Sequence, residues 1–383
     1  MDPSSDPPHA VCLETMHCPL PPLSFPHTLT HYRDTPPHLI APRLLTATIA
    51  ITTVIPITPA ILSQCPSLRL IAIWATGTEW LDHTYCTSHG IWVINCPGTN
   101  IEAVGEHALA FYFAARKKIV EMDGALKVRD GEGGHGEWVE RGTLTTRWDD
   151  VGGAPFSCGQ EVAGIVGYGR LGRRIEGLCR GVGMGEVVVA GRKGVKGPPV
   201  LNGEENGEEN GEANGEANGE ENGEKNGEES GEENGEENGV VGTRGVKRVP
   251  FEEVLRTVTV LVICCPRDAS TIDLIGEEEL RRMRKEAIIV NVARGGIVNE
   301  TALAKALSER WIAAAATDVL GKEPGGRGTT PLLPLEGEVP NLTITPHVAW
   351  FAAQTMTNLK TMLKEGVEAW VAGKPVNVVA KGR

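Results

Sequence analysis

The sequence predicts an α/β protein in which helices cover largely parallel sheets. Short apolar runs rich in Val, Ile and Ala alternate with stretches of helical periodicity through most of the chain, a pattern typical of strand–helix–strand units. One of these units carries a glycine-rich turn between its strand and its helix. With 383 residues, the chain is long enough for two domains that each bury a core.

The apolar periodicity places the elements in a definite order. Strands are expected within residues 68–74, 91–95, 161–169, 186–190, 258–266, 286–296, 312–320 and 341–347, and helices within 100–118, 170–183, 299–311 and 352–373. Asn100 is a residue type that caps helices, so it should begin the first of these helices. Residues 44–62 are threonine-rich and interrupted by Pro56 and Pro59. They favour a strand, a turn and a helix start over a membrane span.

The N-terminal sequence and the cysteines indicate the cellular compartment. The N-terminus reads MDPSSDPPHA and lacks the basic and apolar regions of a secretory signal. Nine cysteines are scattered, without a C-x-x-C pair or a nearby His cluster, which argues against a zinc site or a disulfide framework. We therefore expect free thiols, no bound metal and a cytoplasmic location.

The charge of the chain is concentrated in one tract. The net charge is −13, and residues 201–240 hold fifteen Glu and one Lys, so the remainder carries about +1 and offers no basic face to nucleic acid. The tract repeats Asn-Gly-Glu-Glu and contains hardly any apolar side chain larger than Ala. We expect residues 201–240 to be a disordered insertion in a surface loop, either a passive solvated segment or an interaction tail.

A glycine pattern follows the third expected strand. Gly167, Gly169 and Gly172 form a G-x-G-x-x-G sequence that opens a helix. The first glycine permits a tight turn, the second lets the backbone approach a pyrophosphate, and the third allows close helix–strand packing. Arg170 and Leu171 lie at the helix N-terminus, where unpaired N–H groups attract an anion. This context predicts a dinucleotide-binding site of Rossmann type.

The following strand, VVVA at 187–190, ends where an NAD site usually carries an acid for the adenosine ribose. Here the next residues are Gly191, Arg192 and Lys193. Two cations suit a 2′-phosphate better than a ribose hydroxyl. The sequence therefore favours NADP(H) over NAD(H), although both cations could also be ordinary exposed turn residues.

Three polar residues follow three later strands. Arg294, Glu323 and His347 each lie just beyond an expected strand's carboxyl end, the edge at which open α/β sheets bind ligands. A guanidinium can hold a carboxylate and polarise a carbonyl, and a histidine paired with a carboxylate can donate a proton. The set suits reduction of a 2-oxo acid, whereas any one of the three alone could be structural.

Seven stretches resemble one enzyme family. They are ATGTEWLD (75–82), VGEHAL (104–109), GIVGYGRLGRR (164–174), CCPRDAST (264–271), NVARGGIVNETAL (291–303), TDVLGKEP (317–324) and TPHVAW (345–350). With these seven stretches taken together, the sequence resembles the D-isomer-specific 2-hydroxyacid dehydrogenase family. HVAWFAAQTM and GKPVNVV are most similar to its glycerate dehydrogenase/hydroxypyruvate reductase branch. The formate dehydrogenase branch, in contrast, lacks the acid found here at Glu323.

The resemblance implies roles for individual residues. The family's catalytic Arg, Glu and His correspond to Arg294, Glu323 and His347, and Arg294 also binds the substrate. Its carboxylate-binding backbone loop corresponds to Thr76, Gly77 and Thr78, and the aspartate that meets the nicotinamide amide corresponds to Asp318. The matching stretches imply further cofactor contacts at Cys265, Pro266, Thr271, Val292 and Ala293.

The resemblance also implies an architecture and an activity. A Rossmann-type, doubly wound NAD(P)-binding domain (100–348) would be inserted into a smaller flavodoxin-like α/β substrate domain (9–99 and 349–383), with the active site in the cleft between them. The implied enzyme is a homodimer that reduces a hydroxypyruvate- or glyoxylate-like 2-oxo acid, with no nucleic-acid or membrane partner. The alternative is a nucleotide-sensing corepressor of the same fold, which acts as a protein-binding module.

The sequence departs from the family pattern at three places. Gly105 replaces the usual alanine, which should loosen the helix that connects the domains. Glu79-Trp80 stands where Asp-His is common, and the segment between Glu323 and His347 is somewhat long. No departure removes Arg294, Glu323 or His347.

Overall fold

Two mainly parallel sheets form the framework of this computed structural model, which describes residues 7–127, 136–151, 153–194 and 246–382. The strands are β1 (His9–Cys12), β2 (Thr28–His31), β3 (Ile49–Thr52), β4 (Leu70–Ile73), β5 (Trp92–Ile94), β6 (Val162–Val166), β7 (Glu186–Ala190), β8 (Lys247–Val249), β9 (Val260–Ile263), β10 (Ile288–Asn291), β11 (Ala314–Thr317), β12 (Leu342–Ile344) and β13 (Val378–Ala380). The helices are α1 (Ile40–Leu44), α2 (Pro59–Leu62), α3 (His83–Ser88), α4 (Ile101–Arg116), α5 (Ile119–Lys127), α6 (Glu137–Arg141), α7 (Arg170–Gly181), α8 (Phe251–Thr257), α9 (Glu277–Arg282), α10 (Glu300–Ser308) and α11 (Ala353–Val371).

The first sheet has six strands in the order β2-β1-β3-β4-β5-β13. Strands β1 to β5 are parallel, and β13 runs antiparallel beside β5. The order of the first five strands is that of a flavodoxin-like sheet. The C-terminal part of the chain thus completes the sheet that the N-terminal part begins.

The second sheet has seven parallel strands in the order β12-β11-β10-β9-β6-β7-β8. The direction of winding reverses between β6 and β9, which is the switch point where doubly wound folds bind their ligands. The glycine loop follows β6 and lies at this switch point. The predicted combination of a Rossmann-type sheet with a flavodoxin-like sheet is confirmed.

Burial on both faces explains the apolar runs. Every residue of β3, β4, β9 and β10 is buried, as expected for parallel strands covered by helices. In β11 the small side chains of Ala314 and Ala316 share a core cluster with Ala108 and Phe111 of α4. The alanine-rich sequence of this strand therefore leaves room for a helix to pack closely.

Helix α4 carries the chain from the first sheet to the second, and it starts at Asn100 as expected. Asn100 occupies the N-cap position, but its side chain makes no capping hydrogen bond. Helix α4 runs unbroken over 16 residues through Gly105, and a looser helix at this glycine stays a prediction. A Cβ at position 105 would lie 3.1 Å from Cγ of Arg174 and 3.2 Å from Leu178 on α7. The glycine therefore permits α4 and α7 to pack closely.

The strands β1, β2, β8 and β13 were not predicted. Strands β2, β8 and β13 lie at or next to the sheet edges and bury at most one residue each, so they carry no buried apolar run. The domain borders at 99/100 and 348/349 stay predictions. Residues 201–240, predicted to be a disordered insertion, lie outside the described residues. No helix in the described part of the chain is long and apolar enough to span a membrane.

Candidate active site

The glycine loop joins β6 to α7. Gly167 has a φ of +96°, and a Cβ there would lie 2.6 Å from the backbone of Cys265, so only glycine fits. Gly172 packs against the carbonyl of Gly167. A Cβ on Gly169, the N-cap of α7, would meet nothing within 4 Å. Open space in front of the unpaired N–H groups of a helix N-terminus fits the pyrophosphate of a dinucleotide.

The loops after β9 and β10 border the glycine loop at the same edge of the sheet. Cys265 and Pro266 follow β9, and the Thr271 hydroxyl donates to the Pro266 carbonyl at 2.9 Å. Val292 and Ala293 follow β10 and are buried. The predicted cofactor residues therefore lie beyond the carboxyl ends of neighbouring strands.

The two cations after β7 have different surroundings. Lys193 Nζ lies 2.8 Å from the carboxylate of buried Glu279 and donates to the Leu274 carbonyl at 3.2 Å. Arg192 is exposed, and it pairs with no carboxylate in the described ranges. Arg192 is thus the better placed of the two to meet an added phosphate.

His347 and Glu323 are in direct contact. Nδ1 of His347 lies 2.6 Å from Oε2 of Glu323, and the Leu320 N–H donates to the other carboxylate oxygen at 2.8 Å. The N–H of His347 donates to the Asp318 carbonyl at 2.8 Å. These contacts fix the ring and leave Nε2 as the nitrogen that does not face Glu323.

The pair favours a protonated histidine. The hydrogen bond to Glu323 raises the pKa of His347 above its ordinary value, although burial opposes the rise. Burial raises the pKa of Glu323, but the hydrogen bonds from His347 and the Leu320 N–H outweigh burial and lower it. The pair therefore keeps the imidazolium–carboxylate form to a higher pH than a histidine without this partner would.

Arg294 follows the second sheet and meets the loop that follows β4 of the first. Its Nη1 donates to the Ala293 carbonyl at 2.8 Å, and its Nε donates to Oε1 of Glu79 at 3.2 Å. A Cβ on Gly77 would lie 2.5 Å from Nη2 of Arg294 and 2.7 Å from Oε2 of Glu79. The structure thus brings the predicted guanidinium to the predicted carboxylate-binding loop, and Gly77 permits the close approach.

Hydrogen bonds hold this loop in place. The Thr76 hydroxyl donates to the Cys96 carbonyl at 3.1 Å, and the Asn95 amide group donates to the Thr76 carbonyl at 2.8 Å. The Thr78 carbonyl accepts from the Leu81 N–H at 3.0 Å. The backbone around Gly77 is therefore preorganised by its neighbours on both sides.

Asp318 fixes the turn that carries His347, a role that the sequence did not indicate. It is 2% exposed. Its Oδ1 accepts from the Thr345 hydroxyl at 2.5 Å and the Val348 N–H at 2.9 Å, and its Oδ2 accepts from the Ala349 N–H at 2.9 Å. The contact of Asp318 with a nicotinamide amide stays a prediction.

Three residues that contact the site in the structure were not among the predicted site residues. Glu79 pairs with Arg294, His107 lies 3.0 Å from the Thr345 hydroxyl, and the Trp350 indole N–H donates to the His347 carbonyl at 2.9 Å. Glu79 was noticed as a departure from the family pattern. The sequence offered no signal for these pairings. Those of Glu79 and His107 join segments that only folding brings together, and that of Trp350 depends on the turn after His347.

Comparison with known proteins shows which family has this arrangement. Residues 232–349 match the family model described as the NAD binding domain of D-isomer specific 2-hydroxyacid dehydrogenase. The chain is also 30% identical over 361 residues to a glycerate dehydrogenase of Methylorubrum extorquens, covering 93% of each protein. The chain belongs to the D-isomer specific 2-hydroxyacid dehydrogenase family. The predicted family is confirmed, and this dehydrogenase is an oxidoreductase.

A second relative and a solved structure are also similar to this dehydrogenase. It is 31% identical over 320 residues to a glyoxylate reductase of Aeropyrum pernix, covering 83% of this chain and 78% of that relative. The solved structure of an NADPH-dependent glyoxylate/hydroxypyruvate reductase from Sinorhizobium meliloti, in complex with NADP and malonate, matches with a TM-score of 0.67. That match has 19% identity and covers 99% of both chains. At that identity the likeness shows the fold alone.

Proposed function

We propose that this dehydrogenase reduces the carbonyl of a small 2-oxo acid to the hydroxyl of a D-2-hydroxy acid, with a nicotinamide cofactor. The meeting of Arg294 with the loop around Gly77, next to the His347–Glu323 pair, carries the proposal. The charge of Arg294 lowers the pKa of both His347 and Glu323, which supports the proposal that the three side chains act in one site.

Arg294 and the backbone around Gly77 bind the substrate carboxylate in this proposal. A guanidinium offers parallel N–H donors that match the two oxygens of a carboxylate. Binding at this point orients the neighbouring C2 carbonyl toward His347. The same positive charge stabilises negative charge that develops on the carbonyl oxygen as C2 becomes tetrahedral.

His347 supplies the proton. Its Nδ1 faces Glu323, so Nε2 donates to the developing alkoxide oxygen. Glu323 keeps the imidazole protonated before the transfer and orients the ring. In the reverse direction the neutral ring accepts the hydroxyl proton from the hydroxy acid.

The glycine loop and the loops after β7, β9 and β10 would hold the cofactor. When bound, a reduced nicotinamide supplies the hydride that C2 accepts. The predicted contacts are, in the glycine loop, Gly167, Gly169, Arg170, Leu171 and Gly172, and in the later loops Cys265, Pro266, Thr271, Val292, Ala293 and Asp318. We propose NADP(H) as the preferred form, with exposed Arg192 at the 2′-phosphate and Lys193 less available because it pairs with Glu279.

Hydroxypyruvate and glyoxylate are the proposed substrates. The names of the relatives, a glycerate dehydrogenase and a glyoxylate reductase, support this class. They also favour an enzyme over the corepressor alternative. A homodimer and a cytoplasmic location stay part of the proposal, the latter supported by the nine free cysteines.

Steady-state reduction of hydroxypyruvate and glyoxylate, followed by oxidation of NADPH or NADH, tests the proposal. His347→Ala should lower kcat by about 10²–10⁴-fold, because the proton donor is lost. Arg294→Ala should raise KM as well as lower kcat, because it removes binding of the carboxylate.

His38→Ala is the matched control, since His38 is exposed and lies outside the site. It should retain wild-type rates. Normal reduction of both substrates by His347→Ala would refute the assignment. No turnover by the wild type on a panel of 2-oxo acids with either cofactor, combined with cofactor-dependent binding of a protein partner, would instead support the corepressor.

A further inference from the structure

We propose that Glu79 makes this enzyme selective for 2-oxo acids that carry a single carboxylate. Glu79 occupies one edge of the Arg294 guanidinium and places a negative charge beside the substrate. The inference rests on the proposed function, because it takes Arg294 as the group that binds the substrate carboxylate. The inference narrows the proposed substrates to 2-oxo acids whose substituent at C2 carries no negative charge.

The contacts of Arg294 leave only one edge of its guanidinium for a ligand. A guanidinium has five N–H donors. The Nε–H donates to Glu79 at 3.2 Å, and one N–H of Nη1 donates to the Ala293 carbonyl at 2.8 Å. The remaining donors, on Nη1 and Nη2, suit one bidentate carboxylate. A second carboxylate cannot use the Nε edge, since Glu79 already does.

The surroundings of Gly77 show that the side chains of Glu79 and Arg294 both pack against this glycine. A Cβ on Gly77 would lie 2.5 Å from Nη2 of Arg294 and 2.7 Å from Oε2 of Glu79. The Glu79 carboxylate therefore lies at the loop that binds the substrate. Its side chain is 49% exposed and that of Arg294 is 32% exposed, so solvent screens the charge but does not remove it at such distances.

The two ion pairs of the site carry no net charge in the absence of substrate, and the buried Asp318 carboxylate lies beside them at the turn of His347. Arg294 pairs with Glu79, and His347 pairs with Glu323. Within the ranges that the structure describes, neither glutamate pairs with another cation. With His347 protonated, these four side chains sum to zero. A monoanionic substrate adds one negative charge, whereas a dicarboxylate adds a second that no cation of this cluster receives.

This charge arrangement separates two kinds of 2-oxo acid. Glyoxylate and hydroxypyruvate have an uncharged substituent at C2, so they bring only the carboxylate that Arg294 binds. Oxaloacetate brings a second carboxylate one carbon further on, within the reach of Glu79. Repulsion by Glu79 should therefore weaken binding of oxaloacetate and leave the uncharged substrates unaffected.

Steady-state reduction of hydroxypyruvate and of oxaloacetate by the wild type, Glu79→Gln and Glu79→Asp tests the proposal. The wild-type kcat/KM should favour hydroxypyruvate. Glu79→Gln should reduce that preference roughly tenfold, mainly through a lower KM for oxaloacetate. Glu79→Asp keeps the charge and should keep the preference close to the wild-type value.

Glu365→Gln is the matched control, because Glu365 is exposed on α11 and its loss changes the net charge equally. It should leave the preference unchanged, and thermal melts check that each variant folds. A wild type that reduces neither substrate overturns the proposed function. Reduction of hydroxypyruvate with the same preference in the wild type and Glu79→Gln overturns the role of Glu79 alone.

Discussion

His347 is held in place by its neighbours against its own backbone preference. Its φ of +54° lies in the left-handed region, which a non-glycine residue adopts only where the surroundings hold it. The Asp318 carbonyl accepts its N–H, and the Asp318 carboxylate accepts the N–H groups of Val348 and Ala349. Glu323 then orients the ring. Two acids that follow β11 therefore fix both the backbone and the side chain of the proton donor.

The raised pKa of His347 predicts the pH dependence of the reaction. Reduction needs the protonated ring, so kcat/KM for hydroxypyruvate should be highest below the raised pKa and fall as the pH rises through it. Glu323→Gln removes the main cause of the rise and should move this fall to lower pH. The pH–rate profiles of the wild type and the variant measure the shift.

Oxidation of the hydroxy acid supplies an internal control for this prediction. It needs the neutral ring of His347, so its kcat/KM should rise with pH where that of reduction falls. Glu365→Gln, at an exposed position of α11, should leave both profiles in place. An identical fall in the wild type and Glu323→Gln would show that another group controls the rate.

The turn after β7 shows how neighbouring elements give adjacent cations different roles. Glu279 lies on α9 and is buried, and its carboxylate accepts from the Gly276 N–H at 2.9 Å besides pairing with Lys193. Burial raises the pKa of Glu279, but the hydrogen bonds from Lys193 and the Gly276 N–H, together with the charge of Lys193, outweigh burial and lower the pKa. Lys193 therefore ties the turn to α9, whereas Arg192 faces solvent.

Substitution of each cation separates these roles. Arg192→Ala should weaken NADPH binding roughly tenfold and leave NADH binding nearly unchanged, since only NADPH carries the 2′-phosphate. Lys193→Ala should instead lower the Tm by a few degrees, because buried Glu279 loses its cation. Fluorescence titration with both cofactors and thermal melts measure the two effects.

Each of these variants is the control for the other, since both remove one positive charge from the same turn. Unchanged NADPH affinity in Arg192→Ala would rule out Arg192 as the phosphate-binding residue. A lower NADPH affinity with an unchanged Tm in Lys193→Ala would show that Lys193 leaves Glu279 to bind the cofactor.

The charge of the whole molecule is divided unevenly. Residues 201–240 carry fifteen Glu and one Lys, whereas the rest of the chain is nearly neutral. This acidic tract follows closely after Arg192 and Lys193 in the sequence. From this adjacency in sequence we propose that the tract competes with the 2′-phosphate for the two cations, a competition that salt would screen.

Deletion of residues 202–239 should therefore tighten NADPH binding at low ionic strength and have little effect at high salt. The dissociation constants of NADPH at both ionic strengths measure the change. Replacement of the tract by a neutral Gly-Ser segment of equal length should give the same result, because the effect depends on charge and not on length. Equal affinity of the wild type and both variants at low salt would leave the tract without an influence on the cofactor.

Much of the fold followed from local patterns. The alternation of apolar runs and helical periodicity predicted the α/β class, and the spacing of Gly167, Gly169 and Gly172 predicted the turn at β6. The position of Asn100 at the start of α4 was also predicted, but its capping hydrogen bond was not formed. Residue preferences thus placed the ends of elements better than they predicted individual side-chain contacts.

The sequence by itself determined the order of the strands and helices with clear apolar patterns, the glycine loop and the types of residue at the carboxyl ends of the strands. These features depend on neighbours in the chain, whose spacing can be read directly. Only the tertiary structure decided that Glu79 meets Arg294 and that Lys193 meets Glu279. Each pair joins residues far apart in the sequence, and the distance between such residues is set by how strands and helices pack, which local preferences do not encode.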